Sequence, residues 1–428
     1  MGLPALVERY DALFIDLDGV VYRGDQVVPA APDALEAARG AGCRILFLTN
    51  NSSRTQEQVV DMLSGFGIRA EPSEILTSAG ATAAMLRRQG ANSASAFVIG
   101  ERGLKEALLS AGVKVEDGEP EWTDLVVVGW DRSVDFRKLR RASLLVQRGS
   151  KLIATNGDPS YPAPDGLWPG TGAILSAITT ATGAQAVVVG KPARPLFESA
   201  AELTRPSRPL VVGDRLDTDI PGASTMDWDS LLVLTGASRL EDLGRSDAIP
   251  TYLGVDLSAI ERPLPPARFR PATVGDLPGI RELLVDAGLA SFDIEERLGS
   301  TLVSRDEGGG EAESAVTATA CLEAGEGAWG VLRSVAVRRD VRHMGLGALA
   351  IAACIQRARA LGIRQLFLQT VRVEAFFERL GFERLDPARL PVVVKGAAQA
   401  GCPASATWMG RDLGKQRLGE AAPGTAPG

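Results

Sequence analysis

The chain has 428 residues, more than one ordinary domain holds, so two or three domains are expected. A hydrophobic fraction of 45% with 23% charged residues describes a globular protein, and a formal net charge of −7 argues against a nucleic-acid or anionic-membrane surface. The single histidine, His343, excludes a multi-histidine metal centre and counts against a Ser-His-Asp triad. Cys43, Cys321, Cys354 and Cys402 show no C-x-x-C spacing and read as free thiols of a reducing cytosol. No charged leader precedes an apolar signal core, and no apolar run is long enough to cross a bilayer. A cytoplasmic protein without a membrane partner is the expectation.

The first predicted strand, Ala12-Leu13-Phe14-Ile15, is a continuous apolar run, the pattern of a parallel strand covered on both faces. Asp16-Leu17-Asp18-Gly19 follows at its carboxyl end, where open α/β sheets hold their chemistry. Alone it is also a good turn sequence, so the case rests on what accompanies it. The run Arg44–Leu48 leads into Thr49-Asn50-Asn51-Ser52-Ser53. Ala186–Gly190 leads into Lys191-Pro192, and Pro209–Gly213 into Asp214-Arg215-Leu216-Asp217-Thr218-Asp219. Helical patterns at Asp33–Arg39 and Gln56–Leu63 separate the early strands, which predicts βαβ units and a parallel sheet. The four strand ends then converge on one edge.

These residue types suit phosphoryl transfer. A phosphate monoester is dianionic, so a carboxylate approaching phosphorus needs a cation with oxygen ligands, Mg²⁺, to shield it. Asp16 reads as the nucleophile that forms an aspartyl-phosphate, and Asp18 as the acid that protonates the leaving alcohol and then activates water. Thr49 and the N–H groups after it, with Asn50 and Asn51, would hold phosphoryl oxygens. Lys191 would neutralise the phosphate and orient Asp16. Asp16, Asp18 and Asp214 are the expected metal ligands, with Asp219 behind them.

At these motifs the chain resembles the haloacid dehalogenase (HAD) superfamily of phosphatases, in its subfamily with a large cap inserted between the threonine and lysine motifs. The resemblance implies a Rossmann-like α/β core at 1–80 and 186–258, interrupted by an α/β cap at 81–185. Strand candidates Ala96–Ile99, Leu125–Val128 and Lys151–Ala154 give the cap its own core. Thr155-Asn156-Gly157-Asp158-Pro159 is dense in turn formers, and the subfamily places this segment over the active site. Asn156 and Asp158 would then contact the leaving group. A carboxylate there disfavours anionic leaving groups, which supports glycerol 3-phosphate as the small phosphorylated metabolite hydrolysed.

A proline-rich linker is expected at 259–267, a second α/β unit at 268–413 and a disordered tail at 414–428. In the second unit a helical pattern at Leu277, Ile280, Leu283 and Leu284 precedes a strand at Val331–Val337. Arg342-His343-Met344-Gly345-Leu346-Gly347 then opens a helix. A glycine-containing loop at a helix start offers N–H groups to an anion. With Phe376–Phe382 downstream, this resembles the GNAT acetyltransferases, which implies Arg342, Gly345 and Gly347 on the pyrophosphate of acetyl-CoA. His343 departs from the glycine common there and reads as an exposed loop residue. No acid stands out as a general base, and Ser304–Ser314 reads as a flexible loop. Three readings stay open: an active acetyltransferase, an acyl-CoA-binding regulatory module and a structural remnant. The alternative for the whole chain is a bifunctional enzyme, or mainly an N-acetyltransferase or acyl-CoA sensor. Homo-oligomerisation is left open.

Overall fold

The computed structural model of the chain describes residues 3–163, 165–306, 315–396 and 405–414. Cys402, most of the expected flexible loop and all but the first residue of the expected tail lie outside them. The first sheet has six parallel strands in the order Tyr252–Gly254, Asp229–Val233, Pro209–Gly213, Ala12–Asp16, Arg44–Thr49 and Ile75–Thr77. All five residues of Ala12–Asp16 are buried, as a central strand covered on both faces requires. Ile15 stands opposite Val212 and Asp16 opposite Leu48, so Asp16, Thr49 and Asp214 leave the sheet at the same edge. Helix Gln56–Gly65 starts at a capping box, in which the Thr55 hydroxyl accepts from Gln58 N and the Gln58 side chain accepts from Thr55 N.

The cap is a second parallel sheet, ordered Val187–Val188, Lys151–Ala154, Leu125–Val128, Ser95–Ile99 and Lys114–Glu116. The sequence predicts Ala186–Gly190 as a strand of the core sheet. Instead only Val187–Val188 is extended, and it pairs with Lys151–Ala154 at the edge of the cap sheet. An apolar run signals a strand in a parallel sheet but does not say which of two such sheets it joins. Lys191 therefore reaches the site from the cap side. The short strand Ile75–Thr77 was not foreseen, and three residues carry too little pattern to be read. Helix Ser78–Arg88 runs straight through the expected boundary at residue 80.

The third sheet has seven strands, ordered Arg270–Pro271, Thr301–Arg305, Val316–Ala324, Trp329–Val337, Gln365–Thr370, Thr407–Asp412 and Glu383–Arg384. One neighbouring pair is parallel: Trp329–Val331 runs beside Gln365–Phe367, and beyond those residues the two strands are no longer paired. Helix Leu346–Ala360 is apolar nearly all round, which marks a helix buried on more than one side. It packs on its own sheet and also on the first domain. Leu349, Ile351 and Ile355 share one apolar cluster with Leu216, Ile220, Leu232, Leu243 and Leu253. Gly244 permits this approach, because a Cβ there would lie 2.7 Å from Ile355 Cδ1.

The proline-rich stretch is a packed seam and not a free tether. Leu264, Pro265 and Pro266 are buried. The Ser304 hydroxyl donates to Pro266 O at 3.1 Å, and Ala267 N donates to Thr251 O at 2.9 Å. Three prolines announce stiffness in the sequence, but burial of their neighbours depends on both flanking domains.

Candidate active site

A cavity of about 380 Å³ opens at the carboxyl edge of the first sheet, roofed by the cap. Asp16, Asp18, Thr49, Asn50, Asn51, Asn156, Asp158, Lys191 and Asp214 all line it. Lys191 is buried and donates to Asp16, and also to Asp219 at 2.7 Å. Burial works against the ammonium, but Asp16 and Asp219 outweigh it and hold Lys191 above its ordinary value. Burial pushes Asp16 well up; Lys191 opposes this, while Asp219 and Asp214 add to it. Asp214 is raised to about 6, chiefly by burial and then by Asp219.

Carboxylate oxygens of Asp16, Asp214 and Asp219 lie within 4.8 Å of one another. Asp214 Oδ2 accepts from Ala237 N at 2.5 Å, whereas its buried Oδ1 has no hydrogen-bond partner. An orphaned buried carboxylate oxygen beside two other acids suits a hard cation that takes oxygen ligands. The expected ligand set differs in one respect. Asp219 stands inside this carboxylate group, whereas the Asp18 carboxylate lies apart and accepts from the Tyr22 hydroxyl at 3.2 Å. Burial raises Asp18, against Tyr22, Arg54 and Lys191. A carboxyl whose proton affinity is raised suits proton donation to a leaving group.

Asn50 ties cap to core. Its amide donates to Asp158 at 2.9 Å and to Lys191 O at 3.1 Å, and its Oδ1 accepts from Lys191 N at 2.8 Å. The Asn50 carbonyl accepts from Asn156 Nδ2 and from the Ser78 hydroxyl, each at 2.7 Å. Asn51 Oδ1 accepts from Ser53 N and Oγ, while its own N–H donates to Thr49 Oγ1 at 3.1 Å. Asp158 is raised, mainly by burial. Sequence reasoning assigned no role to Arg215, Trp130 or Tyr161, which also line the cavity. Arg215 pairs with Asp217 at 2.7 Å, and the Trp130 and Tyr161 rings sit 4.2 Å apart. Arg215 stands inside the Asp214–Asp219 motif; Trp130 sits on a loop and Tyr161 on the four-residue strand Ser160–Ala163, too short to carry a periodic signal.

The acyl-CoA candidates stand elsewhere. The Arg342 guanidinium donates to Val337 O at 2.9 Å and lies 3.5 Å from Asp286. Gly345 (φ 86°) faces the first domain, where an added Cβ would meet Leu253 Cβ at 2.7 Å. Met344 packs on the first domain's apolar core, and Gly347 faces Phe376. His343 is exposed, with a left-handed φ of 63°. In this placement Gly345→Val perturbs the contact between domains, so it is not the clean probe of cofactor binding that the loop motif suggests.

Residues 13–114 match the model of the haloacid dehalogenase-like hydrolases and residues 188–260 a second HAD-hydrolase-like model. The chain is 36% identical to an acid sugar phosphatase of Staphylococcus saprophyticus over 260 residues, 60% of this chain and 99% of that one. It belongs to the haloacid dehalogenase-like hydrolases. Residues 285–382 match the acetyltransferase (GNAT) family, so this HAD hydrolase carries a GNAT domain. A glycerol phosphate phosphatase of Mycobacterium tuberculosis, solved with magnesium, superposes over most of the chain. It is 28% identical with a TM-score of 0.68, covering 88% of this chain and 99% of that one. A p-nitrophenyl phosphatase from Archaeoglobus fulgidus superposes with a TM-score of 0.55 at 32% identity, over 59% of this chain and 98% of its own. Among the described residues of the HAD hydrolase, no helix is long and apolar enough to cross a membrane.

Proposed function

We propose that the chain is a Mg²⁺-dependent phosphatase of small phosphate monoesters, with glycerol 3-phosphate as its best substrate. The observation that carries this reading is the buried ammonium of Lys191 between Asp16 and Asp219, beside the unpartnered Oδ1 of Asp214. Asp16 and Asp214 would hold the ion, with Asp219 completing the carboxylate set. When bound, it supplies charge shielding for the phosphoryl oxygens.

Asp16 attacks phosphorus, forming a carboxylate–phosphorus bond as the ester P–O bond breaks. Asp18, whose proton affinity burial raises, gives its proton to the departing oxygen. In the second half the Asp18 carboxylate takes a proton from water, which attacks phosphorus and releases phosphate and free Asp16. Thr49 and neighbouring N–H groups hold phosphoryl oxygens, and Lys191 balances the charge that Asp16 and the phosphate bring together. Asn156 and Asp158 face the leaving group. Arg215 in the same cavity, bound to Asp217, partly offsets Asp158, so discrimination against anionic leaving groups is moderate.

Hydrolysis of a metabolite panel with Mg²⁺ tests the reading. Glycerol 3-phosphate should give the highest kcat/KM, above sugar phosphates and phosphoglycolate. Preference for sugar phosphates, as the name of the staphylococcal relative suggests, would overturn the substrate but not the chemistry. The GNAT domain reads best as a support for the phosphatase, since Gly345 and Met344 are turned onto the HAD core. The family match keeps acyl-CoA binding as the second reading. Calorimetry with acetyl-CoA separates them: heat of saturable binding would reject the support-only role.

A further inference from the structure

The walls of the candidate active site are unlike. Carboxylates, amides and the Lys191 ammonium make up the core side, and the cap side adds two stacked rings, Trp130 and Tyr161, with centroids 4.2 Å apart. Trp130 follows the cap strand Leu125–Val128 and is 8% exposed. Its main-chain N–H donates to Ser52 Oγ at 3.1 Å, in the loop after Thr49, and its indole N–H donates to Pro169 O at 3.0 Å. The Arg132 guanidinium lies 5.4 Å from the ring centroid and is itself held by both Glu101 oxygens at 2.7 Å. Gly129 brings this backbone hard against the core, since a Cβ there would lie 2.7 Å from Ser52 Oγ. The indole can swing aside only by breaking these contacts, so the wall is fixed.

Tyr161 belongs to the hairpin of Ser160–Ala163 and Gly166–Pro169, just beyond Asp158. Among the described residues its hydroxyl has no hydrogen-bond partner. Burial, and then the charge of Asp18, raises that hydroxyl above its ordinary value, which puts the ring's polar tip on the side of the acid that serves the leaving oxygen. An aromatic face packs against the C–H side of an alcohol, while a free hydroxyl and the Asp158 carboxylate can bond its OH groups. We propose that Trp130 is a specificity-determining residue: with Tyr161 it forms a fixed wall that admits a slim open-chain polyol and turns away a pyranose ring. The proposal rests on the phosphatase reading above and deepens it. In a close-fitting pocket a single methylene changes kcat/KM by about 10–200-fold, and a hexose exceeds glycerol by more than one such group.

The test is kcat/KM for glucose 6-phosphate relative to glycerol 3-phosphate, measured on the full chain at saturating Mg²⁺. Trp130→Ala should raise that ratio about tenfold or more over wild type. The Mg²⁺ concentration for half activity should stay within about twofold, because the carboxylates that face the ion come from the core. Trp130→Phe keeps a ring in the wall without the bond to Pro169 and should leave the ratio within about threefold. Where Trp130→Ala does not fold, Trp130→Leu, which keeps an apolar group beside Tyr161, is read by the same ratio. A wild type that prefers glycerol 3-phosphate, with an unchanged ratio or an equal loss for every substrate in the variant, overturns the wall alone. A wild type that prefers glucose 6-phosphate, or is inactive even on nitrophenyl phosphate, overturns the reading beneath it as well.

Discussion

Lys191→Met probes the charge balance on which the site depends. The ammonium lies 2.7 Å from Asp219 and also contacts Asp16, and none of the three side chains is more than 8% exposed. At an effective dielectric near 20, one unit pair at 2.7 Å attracts by about 6 kcal/mol. Desolvation of the ions cancels part of that, and removing one partner of a buried pair costs about 3–5 kcal/mol. The metal-free variant should lose stability of this order, a large share of the ~5–15 kcal/mol that holds a folded protein. Mg²⁺ should restore more stability in the variant than in the wild type. A divalent cation among Asp16, Asp214 and Asp219 replaces the missing charge in one case and is repelled by Lys191 in the other. For scale, ligand at a hundred times its Kd adds about 2.7 kcal/mol. Turnover at saturating Mg²⁺ should still fall by roughly 10²–10³, because phosphate charge is no longer balanced. Denaturation midpoints across a Mg²⁺ series, beside kcat, decide the matter. A metal-free variant as stable as wild type, or an identical response to Mg²⁺, would refute the reasoning.

Asp16→Asn should abolish turnover with the fold intact, and activity near wild type would end the covalent mechanism. Asp18→Asn should slow glycerol 3-phosphate far more than nitrophenyl phosphate, whose leaving group needs little protonation. Because burial raises Asp18, its protonated form persists to higher pH than that of a free carboxyl. The alkaline fall in kcat should therefore be steep for polyol phosphates and shallow for nitrophenyl phosphate; matching pH profiles would contradict the acid role. Asp158→Ala should change the ratio of kcat/KM between substrates more than nitrophenyl phosphate hydrolysis, and a uniform drop would make it structural. In the GNAT domain, burial works to raise Asp276, but Arg270, Thr273 and Arg305 outweigh it and hold the carboxyl well below its ordinary value. A depressed acid contributes stability above its unfolded value of 3.8 and loses it as pH falls through the folded one. Asp276→Asn should then cost roughly 1–3 kcal/mol at neutral pH and progressively less in acid, read from urea midpoints; a pH-independent loss would count against the ion pairing.

The strand-end acids were legible because buried parallel strands advertise themselves as apolar runs, and the sheet edge turns sequence order into spatial convergence. Asp16, Thr49 and Asp214 were found in this way. The home of Val187–Val188 was not, since pairing with the cap or the core depends on contacts some thirty residues away. Asn50 was read as a phosphate contact, yet its side chain joins Lys191 to Asp158, a role created by the cap's closure. Likewise R-x-x-G-x-G identifies a loop capable of holding an anion, and says nothing of Leu253 pressing on Gly345 from the other domain.

The segment from Gly236 to Asp247 belongs to two owners. At one end Ala237 holds Asp214, and Ser238 bonds Asp214 O and Leu216 N. At the other, Ile355 covers Gly244, Arg411 grips Glu241 O and Gln356 reaches Asp247 O. The staphylococcal relative is matched over 99% of its own length by 60% of this chain, so a phosphatase of this kind exists without the fusion. Here a cut at the proline stretch would leave Leu216, Leu243 and Leu253 facing water and the loop behind Asp214 without the contacts of the second half. A substitution along the shared segment therefore acts on both halves at once.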